Sequence, residues 1–327
     1  MTAVRDPVRV AVLGLGVMGR GHLEVLSRLA PWVVVGALAD VSQDALASAA
    51  RSMPGVPAYD DPLGCIADAD VDAVLVASSD SSHAALVLAC LDRGLPVLCE
   101  KPMTTSAQDA AEIVRREQGL GRRLVHVGFM RRFDPDYRAL RRALQAGEVG
   151  EPMVLTQRHH NPSGAVPPTA ETLLTSSATH DIDVTRWLLG EVTDVRCDLV
   201  DAGSAVALRL TMRTASGALS VSDLGSGPGL TYDVGAELVG STGVLRTGAP
   251  GMVTRAVGER AAAYPPSDWL TRFDAAYLAQ AVAWLRSLRI AERTEAGGTG
   301  PAGARDGWAN AVVVEAALAA LPPARRS

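Results

Sequence analysis

At 327 residues the chain is long enough for two domains, and 48% hydrophobic against 20% charged residues excludes a disordered protein. A net charge of −5 with no long basic run argues against a nucleic-acid partner. Apolar runs fall short of the ~18 residues of a membrane span, and Met1–Pro7 has no secretory apolar core, so a cytoplasmic protein with no membrane partner is expected.

The first element is a strand, Val8-Arg9-Val10-Ala11-Val12-Leu13, which runs into Gly14-x-Gly16-x-x-Gly19 and a helix-compatible segment. Strand, glycine turn and helix start together form a cradle for a dinucleotide pyrophosphate. The first glycine permits the tight turn, the second lets the backbone approach the phosphates, and the third lets helix and strand pack closely. Free N–H groups at the helix start then stabilise the anion. A second strand, Val33–Ala39, ends at Asp40, 21 residues after Gly19. That is close to the ~20 expected for the acid that binds the adenosine ribose. A 2′-phosphate would meet the Asp40 carboxylate, and Val41 supplies no cation, so NAD is the expected cofactor.

Residues 42–51 read as a helix capped by Ser42. A buried strand over 69–77 leads into Ser78-Ser79-Asp80-Ser81-Ser82-His83 and a helix over 84–93. Another strand starts at Val97-Leu98-Cys99, a helix covers 106–118, and a strand covers 122–129. This alternation predicts an α/β Rossmann domain with a doubly wound parallel sheet over residues 1–128. The pattern then changes. A connecting helix is expected over 131–146, a strand over 152–160, a Pro-, Ser- and Thr-rich loop over 161–172, and a helix over 177–189. Strands at 192–200, 205–214, 218–224, 232–240 and 243–247 predict a large, mostly antiparallel open sheet. Two helices, 269–288 and 307–321, flank a glycine-rich loop over 296–303. Residues 129–327 therefore read as an α+β C-terminal domain. Cys65, Cys90, Cys99 and Cys197 are scattered and fit reduced thiols. No His, Cys, Asp and Glu cluster has metal-ligand spacing, so no metal is expected.

Glu100-Lys101-Pro102 follows the strand that begins at Val97. Ligands of open α/β sheets bind outside the carboxyl ends of the strands, where a lysine can hydrogen-bond a substrate hydroxyl and carry a proton. A surface ion pair between Lys101 and Glu100 is the alternative. With Gly14-x-Gly16-x-x-Gly19 and Asp40, this tripeptide resembles the glucose–fructose oxidoreductase/inositol dehydrogenase superfamily. Gly128–Asp134, His159-His160-Asn161-Pro162, His180–Leu188, Tyr232-Asp233 and Asp268–Tyr277 are similar to the bacterial myo-inositol 2-dehydrogenases. The resemblance spans nearly the whole chain. It implies NAD(H)-dependent hydride transfer on a cyclitol or sugar ring, a second domain that binds substrate and builds the oligomer, and usually a tetramer.

The resemblance also assigns residues. Lys101 and His180 are the catalytic pair, and either takes the hydroxyl proton. Arg131, His159, Asn161, Ser176 and Tyr232 face the substrate, although a polar strand end is an alternative for His159 and Asn161. Gly14, Leu15, Gly16, Val17, Met18, Gly19, Asp40, Ser78, Ser79, His83, Glu100 and Lys101 surround the cofactor. For His83, a place beside the nicotinamide and a capping role are both open, whereas His22 and His126 read as structural. The family has an aspartate four residues before its histidine, on the same helical face if the helix reaches back that far. This chain has Ser176 there. Asp183 could compensate, although a helix-packing carboxylate is the simpler reading. The departure leaves room for an aminocyclitol or another biosynthetic intermediate as substrate, or for a redox-silent NAD(H)-binding sensor or scaffold.

Overall fold

In the computed structural model, residues 6–162, 168–247, 256–257, 260–261, 268–289 and 301–322 are described. Parts of the expected 161–172 and 296–303 loops lie outside them, as do residues 1–5. The described residues gather into two compact units, one drawn from Met1–Met130 and Tyr277–Ala311, the other from Arg131–Ala276 and Val312–Ser327.

The first unit is built on β1 (Val8–Leu13), α1 (Val17–Ser27), β2 (Val33–Ala39), α2 (Gln43–Ser52), β3 (Ala58–Tyr59), α3 (Pro62–Asp68), β4 (Ala73–Val76), α4 (His83–Asp92), β5 (Val97–Cys99), α5 (Ala107–Gly119) and β6 (Val125–Val127). The strands pair in the order β3-β2-β1-β4-β5-β6, all parallel. Period-2 alternation explains why these strands are apolar throughout. Ala11, Leu13, Val74, Val76, Val97 and Cys99 face a core completed by Leu86, Val87 and Leu91 of α4 and Ile113 of α5. Val10, Val12, Leu38, Ala73, Leu75 and Leu98 face the other, completed by Leu23 and Leu26 of α1 and Leu46 of α2. Caps set several helix starts: Ser42, Asp61 and Ser106 each accept a backbone N–H of the following turn. The sequence reading overlooked β3 and α3, because both are too short for a periodic signal. It also drew the strand at 122–129 too long, since β6 spans only Val125–Val127.

In the second unit, a 3₁₀ turn at Met130–Phe133 precedes α6 (Pro135–Gln145). Asp134 caps that helix, and Pro135 fills its first position. β7 (Pro152–Pro162) follows, then α7 (Ala170–Thr172), a π-helical turn (Leu173–Ala178) and α8 (Thr179–Leu189). β8 (Val192–Asp201), β9 (Val206–Thr214), β10 (Leu219–Gly227), β11 (Asp233–Gly240) and β12 (Val244–Arg246) complete a sheet ordered β12-β11-β7-β10-β9-β8. The β7–β10 pair is parallel and the other pairs are antiparallel. A short pair, β13 (Ala256–Val257) and β14 (Arg260–Ala261), stands apart from it. One face of the large sheet is apolar: Leu208, Leu210 and Met212 pack on Leu173, Leu174, Ala178 and Ile182. Gln157 pins α8 to that face, its amide donating to the Asp181 carbonyl at 2.9 Å and to Thr185 Oγ1 at 3.0 Å. α9 (Trp269–Arg289), kinked at Phe273, and α10 (Ala304–Ala319) close the chain, and each divides its residues between the two units.

Candidate active site

The glycine turn of the first unit satisfies the steric demands of a dinucleotide cradle. Gly14 has φ +87°, and a Cβ there would lie 2.4 Å from Ser78 Cα. A Cβ on Gly19 would lie 1.8 Å from the Gly14 carbonyl oxygen. Both positions therefore exclude any side chain. Gly16 differs: among the described residues, nothing lies within 4 Å of a Cβ built there. Its backbone borders open space at the start of α1, where the first-turn residues Val17 to Arg20 include no acid to compete with a bound anion. These features fit a dinucleotide pyrophosphate. Leu15 is fully buried, so only its backbone is available to a ligand, whereas Val17 is exposed and Met18 is partly buried.

Asp40 ends β2 beside this turn. Its Oδ2 accepts the Leu15 N–H at 2.6 Å and its Oδ1 accepts the Ser42 N–H at 2.8 Å. The carboxylate that would hold a ribose diol thus also ties strand end to glycine turn. Beyond β4, Ser78 Oγ and Ser82 Oγ are 2.7 Å apart, and Ser79 is exposed. His83 is buried. Its Nδ1 lies 2.7 Å from the Pro102 carbonyl oxygen and its Nε2 3.2 Å from that of Ser78. It therefore bridges the loops after β4 and β5, a role neither reading of the sequence had assigned.

Glu100 is not a surface residue. It is 4% exposed, Oε1 meets His22 Nε2 at 2.7 Å, and Oε2 accepts the Lys101 N–H at 3.1 Å. A Cβ on Gly128 would lie 2.8 Å from Glu100 Oε2, so the glycine makes room for this carboxylate. Lys101 is half-buried and joined to Pro102 by a cis peptide.

In the second unit, Arg131, His159, His180 and Tyr232 come together with a residue the sequence reading overlooked, Asp181. The Arg131 guanidinium is 1% exposed, with its charge over the rings of Tyr137 and Phe273 at 5.7 and 5.9 Å. Its Nη1 pairs with Asp181 Oδ1, and its Nη2 lies 2.9 Å from His159 Nδ1. Asp181 Oδ2 is 3.4 Å from the same ring nitrogen. Burial alone would raise the Asp181 carboxyl, but the adjacent Arg131 charge outweighs it and holds it below the ordinary carboxylate value. The His159 ring centroid is 6.3 Å from that of His180 and 6.4 Å from that of Tyr232, the latter edge-on. Burial pushes the Tyr232 hydroxyl up to about 12, so it stays a neutral donor at physiological pH.

Asn161, two residues along β7 from His159, donates to Ser177 Oγ at 3.1 Å. The helix carrying His180 does extend back past residue 176, but through the π-helical turn, which is wound more widely than an α-helix. Ser177 is the buried serine there and Ser176 the exposed one. Asp183 forms a two-pronged pair with Arg132 at 2.9 and 2.6 Å, the helix-packing arrangement. Asp181 lies in a stretch of α8, Thr179 to Thr185, that is buried throughout, so its carboxylate requires a buried partner.

The chain is 41% identical to inositol 2-dehydrogenase 1 of Saccharopolyspora erythraea over 322 residues, covering 96% of this chain and 94% of that one. It belongs to the GFO/IDH/MocA oxidoreductase family. The family's oxidoreductase description, with an NAD-binding Rossmann fold, matches residues 8–129, and its GFO/IDH/MocA C-terminal domain matches residues 137–246. The inositol 2-dehydrogenase of Mycolicibacterium smegmatis is 38% identical, covering 96% of this chain and 94% of its own length. Among solved structures, the myo-inositol dehydrogenase of Lactobacillus casei in complex with NAD(H) and myo-inositol superposes with a TM-score of 0.85. It is 29% identical and covers 96% of this chain and 94% of that one. The motif resemblance and the fold class read from the sequence both hold. This GFO/IDH/MocA member is an NAD-binding oxidoreductase, and its glycine turn lies within the matched Rossmann domain. No helix among the described residues is long and apolar enough to cross a membrane.

Proposed function

We propose that the protein is an NAD-dependent dehydrogenase of a ring carbinol on a cyclitol, with an inositol as the first substrate to try. The observation that carries this reading is the buried grouping of His159, His180 and Tyr232 around the Arg131–Asp181 pair. It offers several hydrogen-bonding groups of fixed orientation, as recognition of a polyhydroxylated ring requires. The identity to named inositol 2-dehydrogenases supports the same substrate class.

When bound, the nicotinamide supplies the hydride acceptor. The chain does the rest. Lys101 or His180 removes the hydroxyl proton, as general bases. His159, Asn161 and Tyr232 orient the remaining hydroxyls, and Arg131 acts on the ring through His159. Asp40 holds the ribose diol, and the Gly14–Gly19 turn holds the pyrophosphate. The buried thiols Cys65, Cys90, Cys99 and Cys197 fit a reducing cytoplasm. An assembly of two or four copies rests on the family resemblance alone.

The test follows NADH fluorescence with a panel of inositols, inososes, pyranoses and aminocyclitols. NAD-coupled turnover of an inositol is the expected result. Turnover only of an aminocyclitol would move the substrate within the class. NADH binding with no turnover across the whole panel would favour a sensor or scaffold instead.

A further inference from the structure

His159 is flanked on its Nδ1 side by two groups that make opposite demands. Arg131 Nη2 lies 2.9 Å from Nδ1, and Asp181 Oδ2 lies 3.4 Å from it. A guanidinium nitrogen is always a donor and never an acceptor. At 2.9 Å its N–H requires a lone pair opposite, so Nδ1 carries no proton. A proton on Nδ1 would set two N–H groups against each other. The carboxylate at 3.4 Å is too far to override that contact and serves instead to neutralise the guanidinium, with which it shares a buried pair. Arg131 is in turn fixed from behind by Tyr137 and Phe273, and the Asp181 carbonyl is held by Gln157.

We infer that Arg131 and Asp181 are positioning residues that lock His159 in its neutral Nε2–H form, so that it presents a donor, not an acceptor, to a substrate hydroxyl or ketone oxygen. Asn161 Nδ2 is engaged by Ser177, which turns its Oδ1 into an acceptor on the same strand face. The strand then reads the substrate as a donor followed by an acceptor, two residues apart. The ligand class rests on the dehydrogenase reading, whereas the tautomer does not.

Side-chain ¹⁵N NMR of histidine-labelled protein without ligand tests the tautomer directly. The chain has 6 histidines, and His159→Gln identifies the signal. The expected spectrum shows a lone-pair Nδ1 and a protonated Nε2 near neutral pH. In the charge-neutral pair of changes Arg131→Gln with Asp181→Asn, the signal should move to a mixture of tautomers. The KM for the polyol should rise about tenfold, the size of one lost hydrogen bond, with NADH affinity unchanged. Arg131→Lys keeps the charge opposite Asp181 but not the second prong, so it should mix tautomers with the fold intact. An Nδ1–H signature in the unmodified protein, or a single Nε2–H form surviving in Arg131→Lys, would overturn the inference. Correct tautomer behaviour in a protein that turns over no polyol would leave the lock standing and remove the dehydrogenase reading.

Discussion

His22 Nε2 lies 2.7 Å from Glu100 Oε1, and both side chains are almost wholly buried. The pair joins α1, the helix whose start faces the glycine turn, to the end of β5, where Lys101 begins. Its other oxygen receives the Lys101 N–H. Backbone placement of the candidate base therefore depends on an almost wholly buried carboxylate. Glu100→Gln keeps the shape and loses the charge. Its kcat should fall while the Kd for NADH changes little, and His22→Ala should cost about 3 kcal/mol of stability by orphaning a buried carboxylate. Unaltered kcat in Glu100→Gln would limit the pair to a structural role.

Lys101→Ala should reduce kcat by ~10²–10⁴-fold, the usual loss of a general acid–base group, with NADH binding retained. Wild-type kcat under conditions where hydride transfer is rate-limiting would take Lys101 off the catalytic list.

Asp40 should confer preference for NAD over NADP. Asp40→Ala combined with Val41→Arg should reverse the ratio of kcat/KM values. Because Asp40 also accepts the Leu15 N–H at 2.6 Å, the single change Asp40→Ala should raise the KM for NAD as well. A wild-type enzyme preferring NADP would contradict the assignment.

Ser176→Asp places a carboxylate on the exposed side of the π-helical turn. If that side faces the reaction, the added charge stabilises imidazolium at His180, moves the acidic limb of the kcat/KM profile upward, and raises inositol activity. Ser177→Ala should act differently: it removes the partner of Asn161 and should raise KM without moving the pH profile. A pH profile and substrate range left intact by Ser176→Asp would show that position 176 does not touch the chemistry.

Burial, with a smaller contribution from the Arg123 charge, pushes the His126 imidazole down to about 3 from its ordinary 6.5. Between those values the unfolded chain binds a proton that the native protein does not. Stability from this group is complete above pH 6.5 and is lost as the pH falls toward about 3, at up to about 1.4 kcal/mol per unit. His126→Gln should flatten the decline in denaturation midpoint from about pH 6.5 to about 4.5, above the carboxylate range. An equal slope in the variant would rule this out.

The cofactor module was legible because its chemistry is local. Gly14, Gly16, Gly19 and Asp40 sit at fixed offsets around two strands, and the doubly wound sheet follows from alternation alone. The role of Asp181 was not legible, because its partners Arg131 and His159 are 50 and 22 residues away along the chain. Only folding brings the three into hydrogen-bonding distance. The same limit applies to Ser176: i−4 spacing presumes α-helical winding, and the π-helical turn leaves Ser176 exposed and Ser177 buried. Asp183, by contrast, pairs with Arg132 as the simpler reading held.

The kinked helix α9 sets a boundary that the linear order hides. Its first turns bring Phe273 beneath Arg131, and its later turns bring Trp284, which has no exposed surface, into the core around Val10, Val12 and Leu75. A fragment ending near residue 130 would therefore contain the complete nucleotide fingerprint yet leave a tryptophan-sized hole against its sheet. Grafting this cofactor module onto a relative, or borrowing one from it, requires moving two separate stretches of chain together. The protein can be recombined by contact but not by a single crossover.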